Sequence, residues 1–337
     1  MNVLLVRTSA LGDIVHCLPV AAALRRRYPD ARLGWVVEET FEPLLAGHAG
    51  LDEIVPVATR RWRRDPLAAA TRRDLAALRR RLCSFGADIV LDLMGNHKAG
   101  VIARLSGCPR RLGARRADRR EPSSALWLSE QAPVHGLHAV DRALDLLLRL
   151  DARPDAADFA PDRLLPEVTP DPAAPPIQVH PGAAWANKRY PPEGWGRVLR
   201  RLGRDTGLDC GVLAGPGEEG LARAVADASG GVARPHDSAG LPALVASLRA
   251  ARLVLGGDTG PLHLAHALGA PVLCVMGPTD PRRHGPYAAG HRAIAQHLPC
   301  SYCYRRFDEA KACLLGLPAE AVAERALALL AGSTPPR

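Results

Sequence analysis

Short apolar runs alternate with longer amphipathic stretches along most of this chain. Runs of roughly four to eight apolar residues between Gly, Pro and polar residues are typical of strands buried in a parallel sheet, and apolar positions spaced at a helical period predict amphipathic helices. Strands are predicted at Val3–Val6, Leu33–Val37, Asp88–Leu91, Ile177–His180, Leu208–Leu213, Leu253–Leu255 and Val272–Val275. Helices are predicted at Ile14–Arg27, Pro66–Ser84, His138–Leu150, Glu193–Arg204, Glu218–Ser229, Leu241–Ala250, Pro261–Leu268 and Glu320–Leu330. This alternation predicts an α/β protein with doubly wound, Rossmann-like sheets.

Two segments interrupt the alternation. Gly107–Pro133 is rich in Arg and is predicted to be irregular, and Asp151–Pro176 is dense in Asp, Pro and Ala, as expected of a linker. We therefore predict an N-terminal domain over residues 1–160, a linker over 161–176, a C-terminal domain over 177–316 and a last helix over 317–331. Because ligands of such domains bind at the carboxyl ends of the strands, the site is expected in a cleft between the two domains.

Composition narrows the class of protein. The chain has 337 residues and a net charge of +9, with lysine only at Lys98, Lys188 and Lys311, so that Arg supplies most of the basicity. A basic protein favours anionic partners, but there are no zinc-finger spacings, heptads or RNP-like strands, so no nucleic-acid partner is predicted. No apolar run reaches the ~20 residues of a membrane helix, the start does not resemble a signal peptide, and the eight Cys are interpreted as reduced thiols. These features predict a cytoplasmic protein.

The stretch after Leu255 carries the strongest candidate ligand site. Asp258, Thr259, Gly260 and Pro261 stand at a strand-to-helix turn, and the first amides of a helix attract anions such as diphosphates. His263 lies one turn further on and could face the same ligand. Alternatively, Asp258 merely caps the helix.

The first strand-to-helix loop delivers a carboxylate, Asp13, near a helix N-terminus. The loop contains neither GxGxxG nor GxxxxGK[ST], so it is not a known dinucleotide or P-loop motif. A helix dipole keeps a carboxylate ionised, which suits a general base, but Asp13 could equally be an N-cap residue.

Two more loops of the C-terminal half carry charged candidates. Lys188 follows a predicted strand and could hold a diphosphate, or it could be a solvated loop residue. Glu218 follows the next strand and could accept hydrogen bonds from ribose hydroxyls, or it could simply begin a helix.

The remaining motifs are weaker. Cys300, Cys303 and Cys313, preceded by His297, do not have the spacing of a standard zinc module, and no metal site is predicted. The basic segment Arg60–Arg81 is interpreted as a solvated helix face, although with Trp62 it could contact an anionic membrane or acceptor.

Several of these segments resemble glycosyltransferase family 9, the ADP-heptose heptosyltransferases. The resemblance is carried by VLLVRTSALGDIVHCLPVAAALRRRYPDARLGWVVEE and GGDTGPLHLAHALGAPVLCVMGPTDP, with DLMGNHKAG, RREP, GLHAVDRALDLL and HPGAAWANKRYPPEGW between them. It covers most of the chain, and the middle motifs are most similar to members that add the first heptose to Kdo (heptosyltransferase I).

The resemblance implies a GT-B fold, with an acceptor-binding first domain, a nucleotide-sugar-binding second domain and a last helix that crosses back. The implied reaction is inverting transfer from ADP-L-glycero-β-D-manno-heptose to a Kdo hydroxyl of the lipopolysaccharide inner core, at the cytoplasmic face of the inner membrane. Asp13 falls on the family's catalytic base. The substrate-binding assignments are Ser9, Gly12, Lys98, Arg120, Lys188, Glu218, Asp258, Thr259, Gly260 and His263, with Lys98 and Arg120 facing the anionic acceptor.

The chain also departs from the family pattern. Ala183 and Ala184 replace hydroxyl residues that commonly precede the lysine, and Met94 replaces a polar residue of the acceptor loop. No DxD-type carboxylate pair is present, so no cofactor is predicted, and a divalent ion could stimulate without being required. We expect a monomer. The alternatives are another family 9 transferase with a different sugar or acceptor, and a non-catalytic nucleotide-sugar binding protein.

Overall fold

The chain forms two compact units, Met1–Pro166 and Glu167–Arg337. The structure is a computed structural model that describes residues 1–306 and 311–332. The observed division lies inside the predicted linker, between Pro166 and Glu167. The predicted domain boundaries and the return of the last helix to the first domain stay predictions.

In the first unit, parallel strands alternate with helices. The strands are β1 (Asn2–Val6), β2 (Arg32–Glu38), β3 (Glu53–Val57), β4 (Ile89–Asp92), β5 (Arg111–Ala114) and β6 (Glu130–Ala132). The helices are α1 (Leu11–Val15), α2 (Leu18–Arg27), α3 (Glu42–Leu45), α4 (Thr59–Arg64), α5 (Ala69–Phe85), α6 (His97–Leu105) and α7 (Ala139–Leu144).

The sheet of the first unit has the strand order β3-β2-β1-β4-β5-β6, with all pairs parallel. Its central strands are apolar and buried because helices cover both faces of the sheet. The order reverses between β1 and β4, so the loops that follow these two strands lie side by side. This reversal is the first switch point.

Three predictions for the first unit are wrong in detail. The helix predicted over Ile14–Arg27 is two helices, because Pro19 has no N–H to continue the hydrogen bonding of α1, and α2 begins after Cys17. Gly107–Pro133 is not wholly irregular, since it contains the short strands β5 and β6. The helix predicted over His138–Leu150 ends as α7 and continues as a 3-10 helix, Asp145–Leu150.

The second unit repeats the same plan. Its strands are β7 (Ile177–His180), β8 (Cys210–Leu213), β9 (Ala233–His236), β10 (Leu253–Gly256), β11 (Val272–Met276) and β12 (Ala293–Ala295). Its helices are α8 (Pro192–Thr206), α9 (Glu219–Ala228), α10 (Leu241–Ala250), α11 (Gly260–Ala267), α12 (Pro281–His284), α13 (Ala312–Leu315) and α14 (Ala319–Leu330).

The second sheet has the order β12-β11-β10-β7-β8-β9, again with all pairs parallel. Its order reverses between β7 and β10, which defines the second switch point. Helix α14 packs in this unit: Val322, Ala323 and Ala326 are buried in one core with Trp195 of α8. Within the described residues, no helix is long and apolar enough to cross a membrane.

Candidate functional site

At the first switch point, Asp13 is the third residue of α1. This helix begins at Leu11, after the N-cap residue Ala10. Its Oδ2 atom accepts a hydrogen bond from the backbone N–H of Ala10 at 3.2 Å, as the third helical residue does in a capping box. The side chain is nevertheless 41% exposed. The alternative that Asp13 is the N-cap residue is therefore wrong, because Ala10 occupies that position; Asp13 supports the helix N-terminus from the third helical position and also faces solvent.

Arg7 holds the Asp13 carboxylate from the end of β1. The Nη2 atom of Arg7 lies 2.8 Å from Oδ1 of Asp13, and its Nη1 atom donates to the backbone oxygen of Leu93, just after β4. Burial alone would lower the pKa of Arg7, but the nearby Asp13 carboxylate, together with Cys17 and Asp92, raises that pKa above its usual value. A guanidinium at this distance favours the ionised form of Asp13.

Lys98, in the first turn of α6, reaches towards the first loop. Its Nζ atom lies 3.4 Å from Oγ of Ser9 and 3.4 Å from Oγ1 of Thr59. Thr59 in turn donates to the buried carboxylate of Glu38 at 2.5 Å. Burial lowers the pKa of Lys98, because the partly enclosed ammonium loses hydration, while Glu38 opposes this shift. The structure thus brings together Ser9 and Lys98, two of the predicted residues.

The turn after β4 is fixed by a buried ion pair. Asp92 accepts from the backbone N–H groups of Met94 and Gly95 through Oδ1, and its Oδ2 atom lies 2.5 Å from Nη2 of Arg119. The neighbouring Arg120 is exposed, whereas Gly12 is buried in α1. Met94 lies against Thr8, whose hydroxyl is 3.3 Å from the Met94 sulfur.

At the second switch point, Lys188 is held by a buried carboxylate. Its Nζ atom lies 2.5 Å from Oδ2 of Asp258, and the two side chains are only 14% and 10% exposed. The Thr279 hydroxyl donates to the same oxygen at 2.8 Å, and Nε2 of His263 lies 3.1 Å from Oδ1. The structure therefore joins Lys188, Asp258 and His263 into one cluster.

This cluster keeps Asp258 ionised. Burial would raise the pKa of Asp258, but the hydrogen bond from His263 and the charge of Lys188 hold it well below its usual range. The oxygens of Asp258 already contact Lys188, Thr279 and His263. Asp258 therefore positions Lys188 and His263. Nearby His284 has its pKa lowered to about 4 by burial, against the attraction of Asp258.

Thr259 and Gly260 follow Asp258 at the start of α11. Thr259 is the N-cap residue with extended backbone, and its side chain makes no capping hydrogen bond. The backbone N–H of His263 bonds to the Thr259 oxygen at 3.2 Å and closes the first turn. The first amides of α11 precede this bond and have no acceptor within the helix, which is what an anion site at a helix N-terminus requires.

Glu218 belongs to an adjoining group. Its carboxylate accepts from the backbone N–H of Gly215 at 3.2 Å, lies 3.6 Å from Nε2 of His180 and 3.7 Å from Nη2 of Arg189. A Cβ atom on Gly182 would lie 1.9 Å from Oε2 of Glu218, so only glycine allows this approach. Burial lowers the pKa of His180, although Glu218 opposes the shift.

The cysteine-rich segment does not form a metal centre in the part of the chain that is described. There, no group of three or more His, Cys, Asp or Glu side chains is placed to hold a metal ion. Cys300 is exposed, Cys303 and Cys313 are partly buried, and all three are free thiols.

Sequence analysis missed several residues of these clusters. Arg7 and Thr279 contact the two candidate carboxylates; both lie inside the quoted motifs VLLVRTSALGD and GPTDP, but neither was singled out, and Arg7 is one of many arginines in the chain. Trp185 lies under Lys188, with Nζ 4.4 Å from its ring centroid. A signal for Trp185 did exist, since it is a large aromatic residue three positions before the candidate lysine.

Comparison with known proteins places the chain in a family. The model of "Glycosyltransferase family 9 (heptosyltransferase)" matches residues 75–313. Lipopolysaccharide heptosyltransferase 1 of Pseudomonas aeruginosa is 32% identical over 314 residues, covering 91% of this chain and 87% of that protein. The same-named protein of Escherichia coli K12 is 32% identical, covering 85% of this chain and 91% of its own length.

Solved structures agree with this placement. The E. coli heptosyltransferase WaaC with ADP matches with a TM-score of 0.80 and 28% identity, covering 96% of this chain and 98% of that one. E. coli ADP-heptose lps heptosyltransferase II matches in fold, with a TM-score of 0.73 and 19% identity over 98% of this chain and 99% of that one. The predicted α/β GT-B fold is confirmed, and the chain belongs to glycosyltransferase family 9, the heptosyltransferases.

Proposed function

We propose that this transferase moves a heptose from ADP-L-glycero-β-D-manno-heptose to Kdo of the lipopolysaccharide inner core, with inversion at the anomeric carbon. The observation that carries the proposal is the 32% identity, over 91% of the chain, to a lipopolysaccharide heptosyltransferase 1. The two switch points supply what the reaction needs: an exposed, ionised carboxylate at one and a fixed ammonium beside helix amides at the other.

In the proposed reaction, Asp13 is the general base. It takes the proton of the Kdo hydroxyl as that oxygen forms its bond to the anomeric carbon. The bond between this carbon and the diphosphate oxygen breaks at the same time, and its electron pair leaves with ADP. Because the transition state resembles an oxocarbenium ion, the attacking hydroxyl becomes acidic late, and a carboxylate paired with Arg7 is basic enough.

Lys188 is proposed to hold the departing diphosphate. Its ammonium is fixed by Asp258, so little reorganisation is needed as negative charge grows on the leaving group. The amides at Thr259 and Gly260 and the imidazole of His263 would add hydrogen bonds, and Glu218 would accept from the ribose hydroxyls.

The acceptor is proposed to meet the first unit. Kdo carries a carboxylate, and Lys98, beside Ser9, offers it a partly buried ammonium. Arg120 would contact a further anionic group, and Gly12 would line the loop that carries Asp13. We propose a monomer without a required cofactor or divalent ion, acting as a peripheral protein at the cytoplasmic face of the inner membrane, where its lipid acceptor lies.

Asp13→Asn tests the proposal directly. The amide keeps the shape of the side chain but cannot take a proton, so turnover of ADP-heptose with Kdo2-lipid A should fall by about 10²- to 10⁴-fold. ADP affinity, measured by calorimetry, should stay within about twofold, because Asp13 is not assigned to the diphosphate.

Three outcomes would contradict parts of this proposal. Turnover that survives Asp13→Asn would remove Asp13 as the base. A wild-type protein that binds ADP but transfers no sugar would be a nucleotide-sugar binding protein. Transfer to heptosylated core, but not to Kdo2-lipid A, would assign a later position in the core.

A further inference from the structure

The indole ring of Trp185 makes cation–π contacts with two side chains, Lys188 and Arg306. Nζ of Lys188 lies 4.4 Å from the ring centroid, and Cζ of Arg306 lies 4.5 Å from it. Because both distances are measured to the same centroid, the Lys188 ammonium and the Arg306 guanidinium are at most about 9 Å apart. Trp185 is partly buried and Arg306 is exposed.

Further contacts hold the segment of Arg306 against the lysine loop. The buried side chain of Asn187 donates to the backbone oxygen of Arg305 at 2.8 Å, and Nζ of Lys311 donates to the backbone oxygen of Arg189 at 3.0 Å. Asn187 and Arg189, which flank Lys188, are thus each hydrogen-bonded to a residue close to Arg306 in the sequence. These bonds help to hold the Arg306 guanidinium beside Trp185.

Two positively charged side chains lie at the Trp185 ring. Lys188 is neutralised by Asp258, but among the described residues no carboxylate forms an ion pair with Arg306. The charge of Arg306 therefore adds to an already paired lysine, and it makes this side of the Trp185 ring attractive to an anion. Ala183 and Ala184 offer only backbone groups to an anion, so the loop that carries Lys188 has no hydroxyl side chain at these two positions and a further cation has a role to fill.

We propose that Arg306 is a second cationic ligand of the donor diphosphate, and that Trp185 is the positioning residue that holds Arg306 and Lys188 at the spacing a diphosphate bridges. This inference rests on the proposed function, because it concerns the same donor. A guanidinium suits the role, since its fork of N–H donors can bind two phosphate oxygens at once.

The test compares ADP affinity in four variants by calorimetry. Arg306→Gln removes the charge and should weaken ADP binding roughly tenfold or more, whereas Arg306→Lys keeps the charge and should retain most of the affinity. Trp185→Leu should weaken ADP binding similarly, and Trp185→Phe, which keeps an aromatic face, should restore most of it. The double variant Trp185→Leu/Arg306→Gln should lose less than the product of the two single losses.

Two controls separate a ligand contact from a change in fold or in overall charge. Arg204→Gln removes an arginine that is 71% exposed and stands near the far end of α8, so its ADP affinity should stay at the wild-type value. Adenosine, measured by competition with ADP, lacks phosphates and should bind equally to wild type and Arg306→Gln. The dependence of ADP affinity on salt should also become weaker in Arg306→Gln, because one charge contact is lost.

The inference is overturned if Arg306→Gln binds ADP like the wild type, or if adenosine binding falls by the same factor as ADP binding. An adenosine loss confined to the Trp185 variants would instead identify the indole as a stacking surface for the base. These outcomes are separable from failure of the proposed function: a wild type that binds ADP through Arg306 but transfers no heptose refutes the transfer alone.

Discussion

The side chain of Asp258 shows how a predicted ligand residue can act through its neighbours. Sequence analysis placed it among the diphosphate contacts, and the structure engages its carboxylate with Lys188, His263 and Thr279. Such a buried acid organises donors for a ligand more readily than it binds an anion itself, because two negative groups would repel. The sequence Asp258-Thr259-Gly260 indicates where the ligand site lies, but it does not reveal which of these residues faces the ligand.

Asp258→Asn should destabilise the protein strongly. The substitution removes the counter-charge of a lysine that is only 14% exposed, and breaking one partner of a buried pair costs about 3–5 kcal/mol. Urea unfolding at pH 7 measures the free energy of unfolding. Asp205→Asn, whose partners Arg201 and Arg204 are on the surface, is the matched control and should leave the free energy of unfolding close to that of the wild type.

The same pair predicts a pH dependence with a definite sign. The pKa of Asp258 is below its usual range in the folded protein, so its stabilisation is present above the unfolded pKa of about 3.9 and is lost as the pH falls below that value. The difference in stability between wild type and Asp258→Asn should therefore shrink between about pH 4 and pH 3. An equal difference at pH 7 and pH 3 would contradict the ion pair.

At the scale of elements, the edges of the sheets were the hardest part to predict. The strands β3, β6, β9 and β12 each lie at an edge, and none of the four was predicted. Edge strands are not buried on both sides and need no apolar run, and they tolerate proline, as Pro56 and Pro235 show. The strands beside the switch points, β1, β4, β7 and β10, are apolar and buried, and all four were predicted.

Helices were predictable where one face is apolar and a breaker follows. The predicted Leu241–Ala250 agrees with α10, and α5 ends one residue beyond the predicted Ser84, before a glycine in the left-handed conformation. Helix α6 was missed because its first turn carries His97 and Lys98, which resemble a loop. The position of Lys98 beside Ser9 could therefore not be seen in the sequence.

Two helical glycines make a paired test of the packing between α8 and α9. A Cβ atom on Gly196 of α8 would lie 2.4 Å from the backbone oxygen of Ala228 in α9, whereas one on Gly220 of α9 would have no neighbour within 4 Å. Gly196→Ala should thus destabilise by about 1–3 kcal/mol, because the backbone contact must open. Gly220→Ala should stabilise by about 0.5–1 kcal/mol, because alanine favours helix.

Thermal or urea unfolding of both glycine variants measures the two signs. A Gly196→Ala variant as stable as wild type would show that α8 and α9 are further apart than the structure places them. Both variants replace a helical glycine by alanine, so the gain in helix propensity is common to them. The difference between their free energies of unfolding therefore reports the close approach of α8 and α9.

On the scale of the whole molecule, the chain uses one strand order twice. In each unit the strands, numbered along the chain within that unit, follow the order 3-2-1-4-5-6. Asp13 and Lys98 follow the strands at the first reversal, and Lys188 and Asp258 follow those at the second. Sequence analysis identified these residues because strand-to-helix turns have recognisable chemistry. It could not place Arg7 against Asp13 or Trp185 against Arg306, because side-chain packing between loops depends on distances that no local pattern encodes.

Buried histidines in both units predict how stability depends on pH. Burial lowers the pKa to about 4 for His48 in the first unit and to about 4 for His284 in the second, where the attraction of Asp258 opposes the shift. The unfolded chain, with histidine pKa values near ~6.5, binds protons that the folded chain does not bind between these values. The free energy of unfolding should therefore fall as the pH drops from about 6.5 to 4, by up to about 1.4 kcal/mol per pH unit for each histidine.

Urea unfolding at several pH values between 4.5 and 7.5 measures this slope. His48→Asn should reduce it by the contribution of one proton, because asparagine can still accept the hydrogen bond that Nδ1 of His48 receives from the backbone N–H of Gly50 at 3.1 Å, yet does not titrate. If the two units unfold in separate steps, only the step of the first unit should change. A slope that is the same in wild type and His48→Asn would show that His48 binds its proton over the same pH range in the folded and the unfolded chain, and the lowered pKa of this buried imidazole would be wrong.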